Sequence, residues 1–300
     1  MPEVSVVIPT YNRAALLPAA VESARRAGSD LEIMVVDDAS TDDTREVCRR
    51  LAGIRYIRSS RNAGLAAARN TGILASSAEL VAFLDDDDLR LPGSLDSQIT
   101  ALKAAPGAAF CYGRVLVADA LRHLPTGEVL PRRCPTGDIF WDLLEQNFVP
   151  IVSVVAYRRS LIECNLFTAG LRGVEDWYLC LRMAEVWPVA ALEEPVAIYR
   201  KANPHSGQMC SDSVSICRQM LLVQEMALRL PRAAAASRTK RRRTRLNLVK
   251  LVYNALVEEA SAAFAEGDSG AARAKSREAL RLRPFRARTD LSLLRLLSSA

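Results

Sequence analysis

The sequence VAFLDDDDLRLPGSL, residues 81–95, places four consecutive aspartates directly after a run of apolar residues. Adjacent carboxylates repel one another and lose solvation when they are partly buried, so folding stability gives little reason to collect them at a strand end. A divalent cation reverses that balance, because Mg²⁺ and Mn²⁺ prefer a few carboxylates together with water and substrate phosphate oxygens. The stretch therefore indicates either a metal site or a solvated acidic loop that leads into a turn at Pro92 and Gly93.

The first 105 residues repeat one pattern four times, an apolar run rich in β-branched residues followed by a segment with helical periodicity. Ser40 or Thr41 is placed to cap the second of these helices. Four strand-helix units predict an α/β fold with a mostly parallel sheet that is sandwiched by helices. The four predicted strands are VSVVIPT (4–10), LEIMVVD (31–37), GIRYIRSS (53–60) and ELVAFLD (79–85).

A polar sequence lies at the end of each predicted strand. In open parallel sheets, ligands bind beyond the carboxyl ends of the strands, so we expect these four loops to converge at one edge. That convergence favours a binding site over a solvated loop for the four aspartates. The loop sequences are PTYNR (9–13), DDAS (37–40), RNAG (61–64) and DDDD (85–88).

The rest of the chain is less regular. Residues 108–205 predict shorter, partly antiparallel strands with helices between them, and residues 214–230 have helical periodicity. The final 65 residues predict two or three amphipathic helices.

Composition sets the broad class of protein. At 300 residues and 50% hydrophobic content, the chain can bury a sizeable core. Its seven cysteines form no C-x-x-C pair, and its first residues lack the features of a signal peptide, so we expect a reducing, cytoplasmic location. No apolar run approaches the length that crosses a bilayer, about 18 to 20 residues.

The net charge of +6 is unevenly distributed. Residues 1–235 hold 25 Lys and Arg against 28 Asp and Glu, a net charge of −3, whereas the remaining residues hold 15 against 6, a net charge of +9. The basic character therefore belongs to the C-terminal segment and says little about the ligand of the main domain.

Two other enzyme classes place aspartates after apolar segments, and neither fits. Haloacid-dehalogenase-type phosphatases use D-x-D-x-[TV] on the first strand, whereas here Leu89 occupies the fifth position and the cluster follows the fourth strand. Isoprenoid synthases place DDxxD in an all-helical fold, which the strand-helix units exclude.

Five sequences together, in this order and spacing, resemble the inverting glycosyltransferases of family 2, which have the GT-A fold. The resemblance covers residues 3–205 and rests on PTYNR, VVDDASTDDT, RNAGLAAARNTGI, FLDDDDLRLPGSL and GVEDWYLCLRMA. It implies a GT-A domain at 1–230, with a nucleotide-binding half at 1–105 and an acceptor half at 106–230, followed by a basic helical segment at 231–300.

The resemblance also implies a reaction. A sugar would move from a nucleoside-diphosphate sugar, with UDP favoured, to the hydroxyl of a saccharide or lipid-linked saccharide acceptor, with Mn²⁺ or Mg²⁺ as cofactor. Processive members carry Q-x-x-R-W and transmembrane helices; neither occurs in this sequence, which favours a single addition.

The resemblance assigns nucleotide-sugar contacts to residues of the first three loops. Pro9, Thr10 and Tyr11 match the segment that lines the pocket for base and ribose. Asp38 matches the residue that accepts a hydrogen bond from the base, typically uracil N3–H. Arg69 would approach the diphosphate or the sugar, where a cation neutralises charge.

Within the aspartate cluster, the resemblance implies a different role for each residue. Asp87 is expected as the direct metal ligand, with Asp88 as the second residue of the metal motif. Asp85 would contact the ribose or a metal-bound water, and Asp86 occupies the variable position on the nucleotide-sugar side. His205, in YRKANPHSGQM (199–209), is a further candidate metal ligand.

The sequence GVEDWYLCLRMA (173–184) supplies the base that the reaction requires. Asp176 matches the general base that takes the proton of the acceptor hydroxyl during in-line attack, and Glu175 is the alternative. Two acids at the start of a helix also favour the helix dipole without any catalytic role. Trp177 either stacks on an acceptor sugar or is a buried aromatic side chain.

The basic sequence RTKRRRTR (238–245) has three interpretations. It caps the fold as a solvated helix, it contacts an anionic membrane surface peripherally, or it binds nucleic acid. No nucleic-acid recognition module is present, so we expect no nucleic-acid partner. The membrane interpretation places the protein at the inner face of the cell membrane.

Two further functions remain open at the level of sequence. A nucleotidyltransferase can use a related sheet and acidic metal site, although PTYNRAAL lacks the Gly-rich signature typical of that class. A non-catalytic nucleotide-sugar-binding protein would keep Asp38 and Asp87 and could dispense with Asp176.

Overall fold

The structure is a computed structural model that describes residues 1–119, 124–200 and 212–283. Its strands are β1 (Val4–Thr10), β2 (Leu31–Asp37), β3 (Ile54–Arg58), β4 (Leu80–Phe83), β5 (Leu89–Arg90), β6 (Phe110–Ala118), β7 (Pro125–Leu130), β8 (Val155–Tyr157) and β9 (Ala190–Arg200).

Its helices alternate with the strands in the first half of the chain and dominate the last third. They are α1 (Leu17–Ala27), α2 (Thr44–Arg50), α3 (Leu65–Ala75), α4 (Ser94–Ala104), α5 (Phe140–Glu145), α6 (Arg158–Glu163), α7 (Glu175–Val186), α8 (Ser213–Ala227), α9 (Pro231–Ala234), α10 (Arg238–Ala265) and α11 (Ser269–Leu282).

Within the described residues, the nine strands join one sheet in the order β3-β2-β1-β4-β8-β6-β9-β5, with β7 paired to β6. The first half is parallel throughout, since β1 pairs with both β2 and β4, and β2 pairs with β3. Every residue of β1 is buried, as a strand covered on both faces requires. The predicted α/β fold is confirmed, with parallel strand-helix units over the first 105 residues.

The second half of the sheet is mixed, as the irregular sequence predicts. Strand β8 is antiparallel to β4 and β6, whereas β6 and β9 run parallel. The two-residue strand β5, directly after the four aspartates, pairs antiparallel with β9. This pairing fixes the far end of the aspartate loop to the edge of the sheet opposite β3.

The described part of the chain divides into two compact units. The larger holds the sheet and the helices that cover it; the smaller holds α8 to α11 with the short segments Leu144–Gln146 and Arg172–Val174. The domain boundary after residue 230 stays a prediction, and α8 lies in the smaller unit. Among the described residues, no helix has both the length and the apolar content to cross a bilayer.

Candidate active site

The loops that follow the parallel strands lie at one edge of the sheet, and a single arginine joins two of the predicted acidic sequences there. Arg69 of α3 donates from Nη2 to Asp85 Oδ1 at 2.7 Å and from Nη1 to Glu175 Oε1 at 2.8 Å. Asp85 follows β4 and Glu175 is the first residue of α7, so residues far apart in the sequence meet around one guanidinium.

Arg69 is buried to an exposed fraction of 1%. Its guanidinium carbon lies 5.3 Å from the centroid of the Phe167 ring, a cation–π contact that covers one face of the group. Burial lowers the pKa of Arg69, and the carboxylates of Asp85 and Glu175 outweigh that effect and raise it above its usual value. Arg69 therefore stays charged, and its two ion pairs link α7 to the aspartate loop. Its predicted contact with the diphosphate or the sugar of a donor stays a prediction.

Asp176 follows Glu175 in the first turn of α7 and is half-buried. Its Oδ1 accepts the backbone N–H of Trp177 at 2.6 Å. Burial raises the pKa of Asp176, and the negative charge of Glu175 raises it further. A carboxylate with a raised pKa is a better proton acceptor than one at its usual value, as a general base requires.

Trp177 is fully buried, and its indole N–H donates to the Leu143 carbonyl oxygen at 2.8 Å. Of the two sequence interpretations, stacking on an acceptor sugar is therefore wrong, because the ring has no exposed face. The buried aromatic anchors the start of α7, which positions Asp176 beside it.

Two of the four aspartates share one cation from the first loop. Arg13 Nη1 bonds Asp87 Oδ2 and lies 3.3 Å from Asp86 Oδ1. Asp86 is buried, and this desolvation raises its pKa to about 7 despite the opposing charge of Arg13. The side chain of Asp87 is more exposed than that of Asp86, so Asp87 is the more accessible of the two to a metal ion.

Asp88 points away from solvent and joins the end of β9. Its Oδ1 accepts the backbone N–H of Arg200 at 2.8 Å, and burial raises its pKa well above the usual value. Asp88 thus fixes the aspartate loop to the sheet, and its predicted place in the metal motif stays a prediction.

Asp38 holds the loop before α3 in place. Its two carboxylate oxygens accept the backbone N–H groups of Ala63 at 2.9 Å and Gly64 at 2.7 Å. Gly64 has a φ of +90°, a conformation that favours glycine. Asp38 is buried, and its predicted bond to the base of a donor stays a prediction.

The segment after β1 places the other predicted nucleotide contacts. Pro9 and Thr10 are buried at the end of β1, and Tyr11 is exposed. The next residue, Asn12, accepts the backbone N–H of Thr41 at 2.6 Å and so joins the first and second loops.

Two contributors to this arrangement are not among the residues that the sequence identifies as candidates for the site. Arg13 is the last residue of the loop sequence PTYNR. The sequence feature that could have identified it is a positive charge in the loop directly after a predicted strand. Asp37 is the second: fully buried, it accepts hydrogen bonds from the Tyr56 hydroxyl at 2.5 Å and the Ser40 backbone N–H at 2.7 Å. Nothing in the sequence pairs Asp37 with Tyr56, since the contact depends on the register of β2 with β3.

The described residues contain no cluster of three or more His, Cys, Asp or Glu side chains arranged to hold a metal ion. His205, the predicted third ligand, lies outside the described residues. Mg²⁺ needs only one or two carboxylates when water and substrate phosphates complete its coordination. Asp87 and Asp85 retain exposed side-chain surface and offer the hard oxygen donors of such a site.

Comparison with known proteins gives a family match over more than half of the chain. A family model described as "Glycosyl transferase family 2" matches residues 5–166. A GalNAc(5)-diNAcBac-PP-undecaprenol beta-1,3-glucosyltransferase of Campylobacter jejuni subsp. jejuni is 39% identical over 123 residues, which cover 39% of this chain and 39% of that protein. A validoxylamine A glucosyltransferase of Streptomyces hygroscopicus subsp. jinggangensis is 42% identical over 125 residues, 38% of this chain and 29% of that protein.

The chain spans less than two thirds of the length of the first relatives, with 39%, 33% and 62% of those proteins covered. Among solved structures, S. aureus TarS 1-349 matches with a TM-score of 0.62 at 16% identity, covering 99% of this chain and 90% of TarS. The mannosyltransferase PcManGT of Pyrobaculum calidifontis, in complex with GDP-Man and Mn²⁺, matches with a TM-score of 0.61 at 20% identity, covering 99% of this chain and 86% of that chain. At these identities the likeness shows the fold alone.

Proposed function

The chain belongs to glycosyl transferase family 2 and has the GT-A fold, and we propose that it transfers a sugar from a nucleoside-diphosphate sugar to an acceptor hydroxyl with inversion. The observation that carries the proposal is the double ion pair of Arg69 with Asp85 and Glu175. It holds the start of α7, and therefore Asp176, beside the acidic loop that follows β4. A base and a diphosphate site must be this close for in-line transfer.

The proposed mechanism assigns the proton to Asp176. Its carboxylate takes the proton of the acceptor hydroxyl as the oxygen attacks the anomeric carbon, and the bond from that carbon to the diphosphate oxygen breaks on the opposite face. The raised pKa of Asp176 supports this role. Glu175 is the weaker choice for the base, because it is buried and paired with Arg69 at 2.8 Å.

The nucleoside diphosphate would lie along the loops after β1, β2 and β4. Pro9, Thr10 and Tyr11 form the pocket for base and ribose in this proposal, and Asp38 accepts a hydrogen bond from the base. Uracil, which carries a proton at N3, suits such an acceptor and makes UDP the favoured nucleotide. The complex of TarS with UDP-GlcNAc, matched with a TM-score of 0.60 at 17% identity over 99% of this chain and 91% of TarS 1-349, is consistent with that choice.

A divalent cation, Mn²⁺ or Mg²⁺, fits the oxygen donors of Asp87, with Asp85 alongside. Asp88, the second residue of the proposed metal motif, would act from the buried side by fixing the loop that carries Asp87. When bound, it would stabilise the negative charge that develops on the leaving diphosphate. The Mn²⁺ in the complex of PcManGT supports this cofactor class for the fold.

The proposed acceptor is a saccharide, and a lipid-linked saccharide is favoured. The Campylobacter jejuni relative carries the name of an undecaprenol-linked saccharide, which supports this choice. An acceptor of that kind is presented at a membrane surface, and the proposed location is the cytoplasmic face of the cell membrane.

The test compares donor binding with sugar transfer in two variants. We expect Asp87→Ala to abolish the metal-supported thermal stabilisation that UDP-sugars give the wild-type protein, because bound ligand raises stability by mass action. We expect Asp176→Asn to keep that stabilisation and to reduce transfer roughly a thousandfold, the range of a general base. The matched control is Asp142→Asn, an exposed acid in the first turn of α5, which should leave both measurements unchanged.

The same assay separates the alternatives. Undiminished transfer in Asp176→Asn removes this residue as the base. Release of a nucleoside monophosphate instead of a diphosphate identifies a nucleotidyltransferase. Donor binding without turnover across a panel of nucleotide-sugars and saccharide acceptors identifies a non-catalytic binding protein.

A further inference from the structure

Helix α10 carries an unusual concentration of positive charge at its start. Between residues 238 and 250 it holds seven Lys or Arg and no acidic residue, and its first acidic residue is Glu258. Like charges at i and i+4, such as Arg238 and Arg242, destabilise a helix slightly. Helix stability alone therefore does not account for this composition.

The helix buries one side of this basic stretch in its own unit. Thr244 and Leu248, one turn apart, are buried. The Thr244 carbonyl oxygen accepts a hydrogen bond from Gln224 of α8 at 3.1 Å, which fixes the rotation of α10 about its axis. With 3.6 residues per turn, the side opposite these two residues must face away from the packing.

That opposite side is a continuous exposed surface, which we name the basic face. It consists of the exposed residues Arg238, Arg242, Arg243 and Lys250, arranged around Leu246. Leu246 has an exposed fraction of 53%, high for a large apolar side chain. A leucine in the middle of four cations distinguishes the basic face from an ordinary solvated helix surface.

The other arginines of this stretch have structural partners. Arg245 bonds Glu225 of α8, with Nη2 at 2.7 Å from Oε2, and Arg241 donates to the Leu228 carbonyl oxygen at 3.4 Å. In contrast, no described carboxylate lies within ion-pair distance of Arg238, Arg242 or Arg243. The charge of the basic face is therefore not neutralised within the described residues.

We infer that the basic face docks on an anionic phospholipid bilayer. Lys and Arg held near such a surface are attracted by its negative potential, and an apolar side chain among them enters the headgroup region. The basic face offers both features on one side of a single helix. A nucleic acid would satisfy the charge, but the five residues include no aromatic ring on which a base could stack.

This inference goes beyond the proposed reaction and does not depend on it, because membrane binding requires neither donor nor acceptor. It supplies the reaction with a location: a lipid-linked saccharide and the enzyme would meet at the same surface. Failure of glycosyl transfer would leave the basic face and its charge unchanged.

The test is vesicle binding by the full chain without any substrate. Co-sedimentation would compare two kinds of vesicle: one of phosphatidylcholine alone, and one of phosphatidylcholine and phosphatidylglycerol in equal amounts. We expect binding to the anionic vesicles only, weakening as salt concentration rises. The triple variant Arg238→Gln, Arg242→Gln, Arg243→Gln should bind these vesicles roughly a hundredfold more weakly, from the loss of three surface cations.

A matched control removes the same charge elsewhere. Arg45, Arg49 and Arg50 are exposed on α2 of the larger unit, and their triple change to Gln should leave vesicle binding as in the wild type. Leu246→Ser keeps every charge and should weaken binding severalfold, which separates membrane insertion from simple charge attraction.

Three results would overturn the inference. Equal loss of binding in the α2 variant would show that only net charge matters. Equal binding to neutral vesicles would exclude an electrostatic contact. Binding of single-stranded RNA that is lost in the α10 variant while vesicle binding is retained would assign the basic face to nucleic acid instead.

Discussion

At the scale of single residues, the site is organised by two arginines that each hold two acids. Arg69 is buried and joins Asp85 to Glu175, whereas Arg13 is partly exposed and joins Asp86 to Asp87. A buried arginine between two carboxylates is a fixed structural element, because removing the arginine leaves two carboxylates without a counter-charge. A partly exposed one can exchange its partners for solvent or for a ligand at lower cost.

This difference leads to a prediction for Arg13. Its guanidinium pairs with the carboxylate that we propose as the metal ligand, so cation and guanidinium should compete for Asp87. Arg13→Gln should therefore bind Mn²⁺ roughly tenfold more tightly in the absence of donor, from the loss of one neighbouring positive charge. Titration of free Mn²⁺ followed by electron paramagnetic resonance measures this directly.

The control for that experiment is another arginine of the larger unit. Arg25 on α1 pairs with Glu22 at 3.2 Å, remote from the aspartates in the chain, and Arg25→Gln should bind Mn²⁺ as the wild type does. An unchanged affinity in Arg13→Gln would mean that Arg13 and the metal ion do not share Asp87.

At the scale of elements, helix α3 connects the site to the core of the sheet. The loop directly before it donates the backbone N–H groups of Ala63 and Gly64 to Asp38, and Arg69 lies in the second turn of the helix. One further turn on, Gly72 packs directly against Val7 of β1. The position of Arg69 therefore depends on how closely α3 can approach β1.

The close approach at Gly72 leads to a prediction about stability. A Cβ at this position would overlap Val7 Cγ1 and lie 2.9 Å from Cγ2. Gly72→Ala should lower the free energy of unfolding by about 1 to 3 kcal/mol, the usual cost of overpacking a core, as measured by urea denaturation.

The same substitution in α11 is the matched control. Gly270 is also helical, but the atom nearest to a Cβ at this position would be Asp268 Oδ1 at 3.5 Å, an ordinary contact. Gly270→Ala should therefore stabilise the protein by up to about 1 kcal/mol, through higher helix propensity. A stabilising effect of Gly72→Ala would contradict the close packing of α3 on β1.

At the scale of the whole molecule, local sequence patterns identified the parallel half of the sheet and the acidic loops. Strands β1 to β4 each have an apolar run long enough to recognise, and Asp85 and Asp176 follow recognisable element boundaries. Strand β5 could not be recognised, since Leu89 and Arg90 form a strand only because β9 lies alongside.

The contacts that assemble the site could not be predicted from local patterns. Arg13 meets Asp87 across 74 positions and Arg69 meets Glu175 across 106 positions. No periodicity encodes such pairings, because they depend on strand order and on the rotation of α3 and α7. Arg69 was expected to face the ligand, and only the folded chain reveals the two carboxylates that it holds.

The acid stability of the molecule provides the last prediction and depends on Asp37. Burial raises the pKa of this carboxyl, but hydrogen bonds from Tyr56 and Ser40 and the pairing with Arg58 outweigh that effect and lower it below the usual 3.8. A carboxyl whose pKa is lower in the folded state contributes stability above its unfolded pKa and loses it as the pH falls through the folded value. The free energy of unfolding should therefore decline below about pH 4.

The variant Asp37→Asn tests this explanation. It should lower the free energy of unfolding by about 2 kcal/mol at pH 7. The difference in free energy of unfolding between wild type and variant should become smaller in acid, as measured by urea denaturation at several pH values. The control is Asp30→Asn at an exposed position, whose free energy of unfolding should match that of the wild type at every pH. If Asp37→Asn is less stable than the wild type by the same amount at every pH, the ionised carboxylate is not what stabilises the fold.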